Sequence, residues 1–111
     1  MVPGLLLLLQ GHTIKLQRNV GKGACFPWHY DNPGRPNKRV LTCLIYLNPD
    51  YASGQGGELE LMPFLQPPVV IEPKMGRMVF FRSDRVLHRV RPNYHERYAL
   101  TIWLDGEGLN M

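Results

Sequence analysis

The sequence has only two cysteines, Cys25 and Cys43, and lacks any C-x-x-C pair. That number is too small for a disulfide scaffold and the spacing is wrong for a zinc site. We therefore expect two reduced thiols in a protein of the cytoplasm or nucleus. Helical periodicity is missing as well, because no segment of typical helix length repeats its apolar residues every three or four positions. Helical bundles and coiled coils are disfavoured.

Long apolar runs and charge of one sign are also scarce. The run Leu5 to Leu9 is too short to cross a bilayer and lacks the basic residues and cleavage site of a signal peptide. We interpret it as the end of a buried strand or of a truncated segment, with no membrane partner. The 13 Lys and Arg residues exceed the 9 Asp and Glu residues only mildly. They are not interleaved with stacking aromatics, so no nucleic-acid partner is expected.

What the chain does contain is a series of short β-prone runs. Its 111 residues suit one domain, with a core at about residues 13–105. The 10 prolines and 11 glycines divide it into pieces separated by turns. Six or seven strands are predicted, and the runs are Thr13 to Asn19, Arg39 to Asn48, Glu58 to Met62, Pro68 to Glu72, Met78 to Arg82 and Arg97 to Leu104. An all-β sandwich or barrel follows.

Two of these runs place polar tips among apolar side chains on one face. In Arg97 to Leu104 that face carries Arg97, Ala99, Thr101 and Trp103. In Val40 to Asn48 it carries Val40, Thr42, Leu44 and Tyr46. A strand with one solvated face would show more charge. This pattern favours a buried cavity with a few placed polar groups, the alternative being a plain sandwich whose hydroxyl groups satisfy one another.

The chemistry is concentrated at His29, Asp31 and His88. Residues two apart on an extended segment point the same way, so His29 and Asp31 can bind one metal together. A distant His88 on a neighbouring strand would complete a set of two imidazoles and one carboxylate, which suits Fe(II) with open coordination positions. The alternative interpretation of the pair is a simple turn at Asp31 to Gly34.

A second element is Arg97, at the start of the last predicted strand. A buried guanidinium needs an anionic partner, and no acidic residue shares its face. A small dicarboxylate bound bidentately by Arg97 would satisfy it, with Tyr46 and Thr42 as hydrogen-bond donors to the same carboxylate. The alternative is an exposed Arg97 at a strand edge near Glu96.

The sequence resembles the 2-oxoglutarate and Fe(II)-dependent oxygenases, and within them the prolyl 4-hydroxylase group. It is most similar to the prolyl hydroxylases that modify hypoxia-inducible factor. The stretches that carry the resemblance are His29 to Pro33, Arg39 to Asn48, Gly56 to Leu59, Ile71 to Lys74, Phe80 to Arg85 and His88 to Trp103.

This resemblance implies a role for each matching residue. His29, Asp31 and His88 would ligate iron, Arg97 would pair with the far carboxylate of 2-oxoglutarate, and Tyr46 would donate a hydrogen bond to that carboxylate.

Further roles follow from the same resemblance. Thr101 would lie beside that carboxylate, and Trp103 would pack against a metal-site histidine. Asn19 stands where many members carry a cosubstrate-contacting tyrosine, so its shorter side chain is a departure. Trp28 and Arg82 are candidates for the substrate pocket together with Trp103, the alternatives being packing for Trp28 and a solvated rim for Arg82.

For the whole chain, the resemblance implies a double-stranded β-helix, or jelly roll, that hydroxylates a protein residue, proline above all. The cofactor and cosubstrates would be Fe(II), 2-oxoglutarate and O₂, with ascorbate as an accessory reductant. Members carry helices that cover one sheet, and this chain has no segment for them. Either Val2 to Leu9 partly covers that sheet or the chain is truncated. A binding module without turnover is the alternative function.

Overall fold

The computed structural model describes the backbone of residues 5–110 and the side chains of residues 11–106. This part of the chain contains no helix, and therefore no helix of the length and apolarity that would cross a membrane. Its eight strands are β1 (Leu5–Asn19), β2 (Ala24–His29), β3 (Arg39–Tyr46), β4 (Leu59–Met62), β5 (Val69–Ile71), β6 (Met78–Arg82), β7 (Leu87–Asn93) and β8 (Arg97–Asn110).

The strands form two antiparallel four-stranded sheets. Sheet I has the order β1-β8-β3-β6 and sheet II the order β2-β7-β4-β5. Chain neighbours mostly lie in different sheets, which is the wound arrangement of a jelly roll. The predicted all-β double-stranded β-helix is confirmed, and all six predicted runs lie in or overlap observed strands. Two strands, β2 and β7, lie outside these six runs, although the metal-site hypothesis places His88 on a strand.

The core lies between the two sheets. Its buried apolar side chains come from both of them: Tyr46, Leu59, Leu61, Val79, Phe81, Val90 and Ala99. Strand alternation explains the set, because every second residue of β3, β6 and β8 points toward sheet II. The same alternation brings the polar residues of those faces into the interior.

The opposite face of sheet I is apolar and exposed. Among the described side chains, Ile14, Leu16, Met78 and Phe80 are each more than half exposed on this face. An uncovered sheet face is what the sequence predicts, because it has no segment for the helices that cover one sheet in the family it resembles. Two predictions concern residues outside the described side chains: that Val2 to Leu9 covers part of this face, and that Leu5 to Leu9 is the end of a buried strand.

Candidate active site

A cavity of about 590 Å³ opens between the two sheets and is lined by residues of both. Strand β8 contributes Arg97, Ala99, Thr101 and Trp103 to its wall. This is the face on which the sequence places polar groups among apolar ones. The prediction of a cavity is therefore correct, and the plain sandwich is ruled out.

His29, Asp31 and His88 converge at the cavity wall. His29 ends β2 and lies directly opposite His88 of β7 in the antiparallel register. The Nε2 atom of His29 is 3.3 Å from Asp31 Oδ1, and Nε2 of His88 is 3.2 Å from the same oxygen. One ligand atom from each of the three residues lies within 4.8 Å of the others. The spacing suits a single bound ion.

Backbone carbonyl groups fix the orientation of both imidazole rings. Nδ1 of His29 lies 2.7 Å from the carbonyl oxygen of Pro27, and Nδ1 of His88 lies 3.0 Å from that of Val86. A ring whose Nδ1–H donates to a carbonyl presents a lone pair at Nε2. Each ring, once neutral, therefore offers Nε2 to a metal.

The second oxygen of Asp31 is held by sheet I. The Thr42 hydroxyl donates to Oδ2 at 2.7 Å, and the Trp103 indole N–H donates to it at 3.1 Å. Burial opposes ionisation of this carboxyl group, but hydrogen bonds from His29, His88 and Thr42 outweigh it and hold the pKa well below its usual range. Asp31 is therefore a carboxylate near neutral pH, with Oδ1 directed at the histidines.

The donor set fits a divalent transition metal. Two imidazoles and one carboxylate, with the cavity on their open side, form the 2-His-1-carboxylate arrangement typical of Fe(II) that retains free coordination positions. The hydrogen bonds to Nδ1 of each ring and to Oδ2 supply the outer contacts that metal ligands need. We conclude that the residues present fit Fe(II).

Trp103→Phe is expected to weaken metal binding by about tenfold, because it removes the indole N–H bond to Asp31 Oδ2 while keeping an aromatic ring beneath the Arg39 guanidinium. Titration calorimetry with Mn(II), a redox-stable substitute for Fe(II), measures the effect. Trp28→Phe is the matched control, since that indole lies outside the cavity lining. Equal affinities for both variants would show that the Trp103 bond does not orient Asp31.

Arg97 lies deep in the cavity and is only 5% exposed. Its Nε donates to the carbonyl oxygen of Gly57 at 2.9 Å, and its guanidinium carbon lies 5.2 Å from the centroid of the Tyr46 ring. No described carboxylate lies within ion-pair distance of it. Burial lowers the pKa of Arg97 but leaves it a cation. A buried cation in this state favours an anionic ligand.

Tyr46 adds an unused polar atom beside Arg97. Its side chain is fully buried, and its hydroxyl group has no hydrogen-bond partner of good geometry among the described residues. Burial raises the pKa of Tyr46 to about 12, against the opposing effect of the Arg97 charge. The hydroxyl stays protonated near neutral pH and is free to donate. An unsatisfied buried hydroxyl next to a desolvated guanidinium is what a carboxylate would satisfy.

Gly57 sets the position of Arg97, a role that the sequence interpretation missed. A Cβ atom at this residue would lie 2.8 Å from Arg97 Cδ and 2.9 Å from Asn93 Oδ1. Only glycine therefore allows the backbone to approach the arginine this closely. The pair Gly56-Gly57 was the available signal, since consecutive glycines outside a simple turn indicate close packing of the backbone.

Gly57→Ala is expected to weaken 2-oxoglutarate binding by about tenfold and to leave Mn(II) affinity unchanged, because the added methyl group displaces Arg97 and not the metal ligands. Calorimetric titrations of each ligand separate the two effects. Gly54→Ala is the matched control, since Gly54 also has a positive φ but faces open space. If both variants weaken 2-oxoglutarate equally, the loss comes from backbone strain alone.

One predicted contact needs correction, and another residue makes contacts that were not predicted. Thr42 lines the cavity but donates to Asp31, not to a carboxylate beside Arg97. Thr42 is the register partner of Trp103, at the end of the cavity where the metal ligands are. Tyr46, which lies beside Arg97, is four residues farther along the same strand. Trp103 also contacts Asp31 through its N–H, while its ring lies 3.8 Å from the guanidinium carbon of Arg39.

The remaining predicted residues divide between the cavity and its surroundings. Thr101 is buried and lines the cavity. Asn19 does not line it, because its Oδ1 accepts hydrogen bonds from the Gly21 N–H and from Asn93 Nδ2. Trp28 is partly exposed with the Arg89 guanidinium 5.0 Å from its ring.

Arg82 pairs with Asp84 at 2.9 Å and is also outside the cavity lining. A further residue that sequence reasoning missed is Ser83, fully buried, whose hydroxyl group lies 2.8 Å from that of Thr42. No spacing in the sequence connects Ser83 with Thr42, so this support could not have been found before the fold was known.

Comparison with known proteins gives consistent results. The sequence profile of the 2OG-Fe(II) oxygenase superfamily matches residues 14–105. Egl nine homolog 1 of Rattus norvegicus is 43% identical over 86 residues, which are 75% of this chain and 25% of that protein. The chain thus spans about a quarter of the length of this relative.

Two solved structures share the fold at higher coverage of this chain. A prolyl 4-hydroxylase from Phytophthora capsici superposes with a TM-score of 0.85 at 61% identity, covering 90% of this chain and 35% of the other. A Trichoplax adhaerens prolyl hydroxylase, in complex with a peptide fragment of the hypoxia inducible factor oxygen degradation domain, has a TM-score of 0.85 at 37% identity. That comparison covers 90% of this chain and 46% of the other.

Proposed function

Because the chain belongs to the 2OG-Fe(II) oxygenase superfamily, we propose that it is an Fe(II)- and 2-oxoglutarate-dependent dioxygenase that hydroxylates a prolyl residue of a protein or peptide. The observation that carries the proposal is one cavity lined by both the His29-Asp31-His88 cluster and Arg97. A metal site alone would serve many reactions. A buried guanidinium in the same cavity, with no carboxylate partner among the described residues, indicates a cosubstrate with a second carboxylate.

His29, Asp31 and His88 would hold the metal. When bound, Fe(II) supplies the activation of O₂, in which 2-oxoglutarate is oxidised to succinate and CO₂ and one oxygen atom enters a C–H bond of the substrate. The chain's own contribution is to orient both imidazoles so that Nε2 of each ring is directed at Asp31 Oδ1. Because Thr42 and Trp103 occupy Oδ2, that carboxylate is fixed to bind through one oxygen.

At the other end of the cavity, Arg97 would bind the far carboxylate of 2-oxoglutarate and Tyr46 would donate its hydroxyl hydrogen to it. Gly57 holds the guanidinium through Nε, which leaves the terminal nitrogens for the ligand. Apolar side chains of both sheets, including Leu44 of sheet I and Leu59 of sheet II, line the space between and exclude water. Lower water content strengthens each of these charged contacts.

A prolyl substrate is proposed from the named relatives. The Phytophthora protein is a prolyl 4-hydroxylase, and the Trichoplax enzyme was solved with a peptide of hypoxia inducible factor. We propose the cytoplasm or nucleus as its location, supported by Cys25 and Cys43, which are both free thiols. Ascorbate is proposed as an accessory reductant that keeps the iron in the Fe(II) state.

The alternative is a module that binds ligands without turnover. The position of Asn19 favours it, because this side chain is committed to Gly21 and Asn93 and contributes nothing to the cavity.

One experiment separates the two functions. The purified chain is incubated with Fe(II), ascorbate, 2-oxoglutarate and proline-containing peptides, and succinate and peptide mass are measured. Succinate together with a peptide that gains one oxygen atom supports the dioxygenase. Binding of 2-oxoglutarate without succinate supports the binding module, and failure of the metal-loaded chain to bind 2-oxoglutarate rejects both.

A further inference from the structure

Strand β1 supplies a side wall of the cavity that no predicted role uses. Lys15 and Gln17 both line the cavity. In the antiparallel register Gln17 lies opposite Ala99 and Lys15 opposite Thr101. On the other side of β8, Tyr46 is the partner of Ala99. Gln17, Ala99 and Tyr46 therefore form one row across sheet I, and the row of Lys15 and Thr101 comes next.

The position of these rows relates them to the proposed cosubstrate. Along the cavity face of β8, Ala99 and Thr101 lie between Arg97 and the metal-binding end. A ligand that joins the guanidinium to the metal must pass over both residues. Ala99 has only a methyl group, so it leaves the space above it to its neighbours. Gln17 and Lys15 are thus placed along one side of such a ligand.

Both side chains have unused hydrogen-bonding capacity. Among the described residues, neither Lys15 nor Gln17 makes a side-chain hydrogen bond or ion pair that would hold it elsewhere. Their neighbour Arg18, on the opposite face of the strand, pairs with Glu96 at 2.5 Å. Asn19, farther along the cavity-side positions, is committed to other residues. Between Lys15 and Asn19, the cavity-side residues that remain available are Lys15 and Gln17.

The charge of the cavity favours an anion on this side. Its described lining carries three cations, Lys15, Arg39 and Arg97, and one carboxylate, Asp31. That carboxylate is already engaged by the two histidines and the two sheet I donors. A dianionic ligand would balance the excess positive charge better than a monoanion.

We propose that Lys15 and Gln17 are cosubstrate-binding residues that take the place left by Asn19. The Gln17 amide donates an N–H to the carboxylate held by Arg97, and the Lys15 ammonium group supplies a second positive charge to the dicarboxylate. The inference rests on the proposed function, since it assumes that 2-oxoglutarate occupies the cavity.

The test measures the dissociation constant of 2-oxoglutarate by calorimetry on the Mn(II)-loaded chain, which requires no turnover. We expect Gln17→Ala to raise it by about 3- to 10-fold, the loss typical of one hydrogen bond. Lys15→Met is expected to raise it by about 2- to 5-fold, because the Lys15 side chain is exposed and its charge is partly screened. The Lys15→Met effect is expected to shrink at high salt because exposed charges are screened, whereas a merely structural effect would not. Mn(II) affinity is expected to be unchanged.

Arg18→Met is the matched control, since it removes a positive charge from the same strand on the opposite face. Arg97→Met reports on the proposed function itself. If the unaltered chain binds 2-oxoglutarate and Arg97→Met weakens it, but neither Gln17→Ala nor Lys15→Met differs from Arg18→Met, the inference is wrong and the proposed function stands. If the unaltered chain does not bind 2-oxoglutarate, the proposed function is wrong.

Discussion

We expect His29→Ala to raise the dissociation constant for Mn(II) by more than about 100-fold and to abolish succinate formation. Loss of an outer contact to a metal ligand typically costs 10- to 100-fold, so loss of a ligand itself should cost more. His29 supplies one of three converging atoms, 3.3 Å from Asp31 Oδ1. Its side chain is 38% exposed, so its removal leaves no buried hole. Calorimetry measures binding, and circular dichroism checks that the fold is retained.

Two further variants make this test specific. His95→Ala is the control, because His95 is exposed and outside the cavity lining. Asp31→Asn keeps the shape of the side chain and removes its charge, and it is expected to lose Mn(II) binding to a similar degree. Near-normal Mn(II) binding by both His29→Ala and Asp31→Asn would contradict the assignment of the cluster as the metal site.

The part of the site that follows from local geometry was predictable from the sequence. His29 and Asp31 are two residues apart, a spacing that predicts side chains on one side of an extended chain. In the structure β2 ends at His29 and Asp31 follows at a bend, yet its Oδ1 still lies 3.3 Å from His29 Nε2. The third member is different in kind. His88 meets His29 because β2 pairs with β7, and no local pattern fixes that register. Its choice depended on the resemblance to a known family.

The unpredicted contacts of Thr42 and Trp103 arose for the same reason. Alternation along β3 and β8 correctly places Thr42 and Trp103 on the cavity face. It does not say which group from sheet II they meet there. Both hydrogen bonds go to Asp31, which reaches across from the segment after β2. A face is a property of one strand, whereas a partner is a property of how two sheets are stacked.

The two strands that lie outside the predicted runs share a feature that makes them hard to assign from sequence. Strand β2 contains Pro27 and strand β7 contains Pro92, which weaken a sequence-based assignment. Pro27 is tolerated because β2 lies at the edge of sheet II, and Pro92 lies near the end of its strand. Position within a sheet, which only the fold reveals, decides whether a proline is compatible with a strand.

Arg97→Met is expected to weaken 2-oxoglutarate binding by about 2–5 kcal/mol, or roughly 30-fold to several thousand-fold, and to leave Mn(II) affinity unchanged. The buried guanidinium has no carboxylate partner among the described residues, so its removal leaves no buried anion unpaired. The fold should therefore tolerate the change. Titration calorimetry of the Mn(II)-loaded variant with 2-oxoglutarate measures the loss.

A second ligand shows which end of the cosubstrate Arg97 binds. The compound 2-oxopentanoate lacks the far carboxylate and keeps the keto acid end that would reach the metal. The unaltered chain should strongly prefer 2-oxoglutarate, and Arg97→Met should bind both compounds about equally. Arg97→Lys should recover only part of the preference, because an ammonium group keeps the charge but loses both the paired N–H groups and the bond from Nε to Gly57. An undiminished preference in Arg97→Met would place the far carboxylate elsewhere in the cavity.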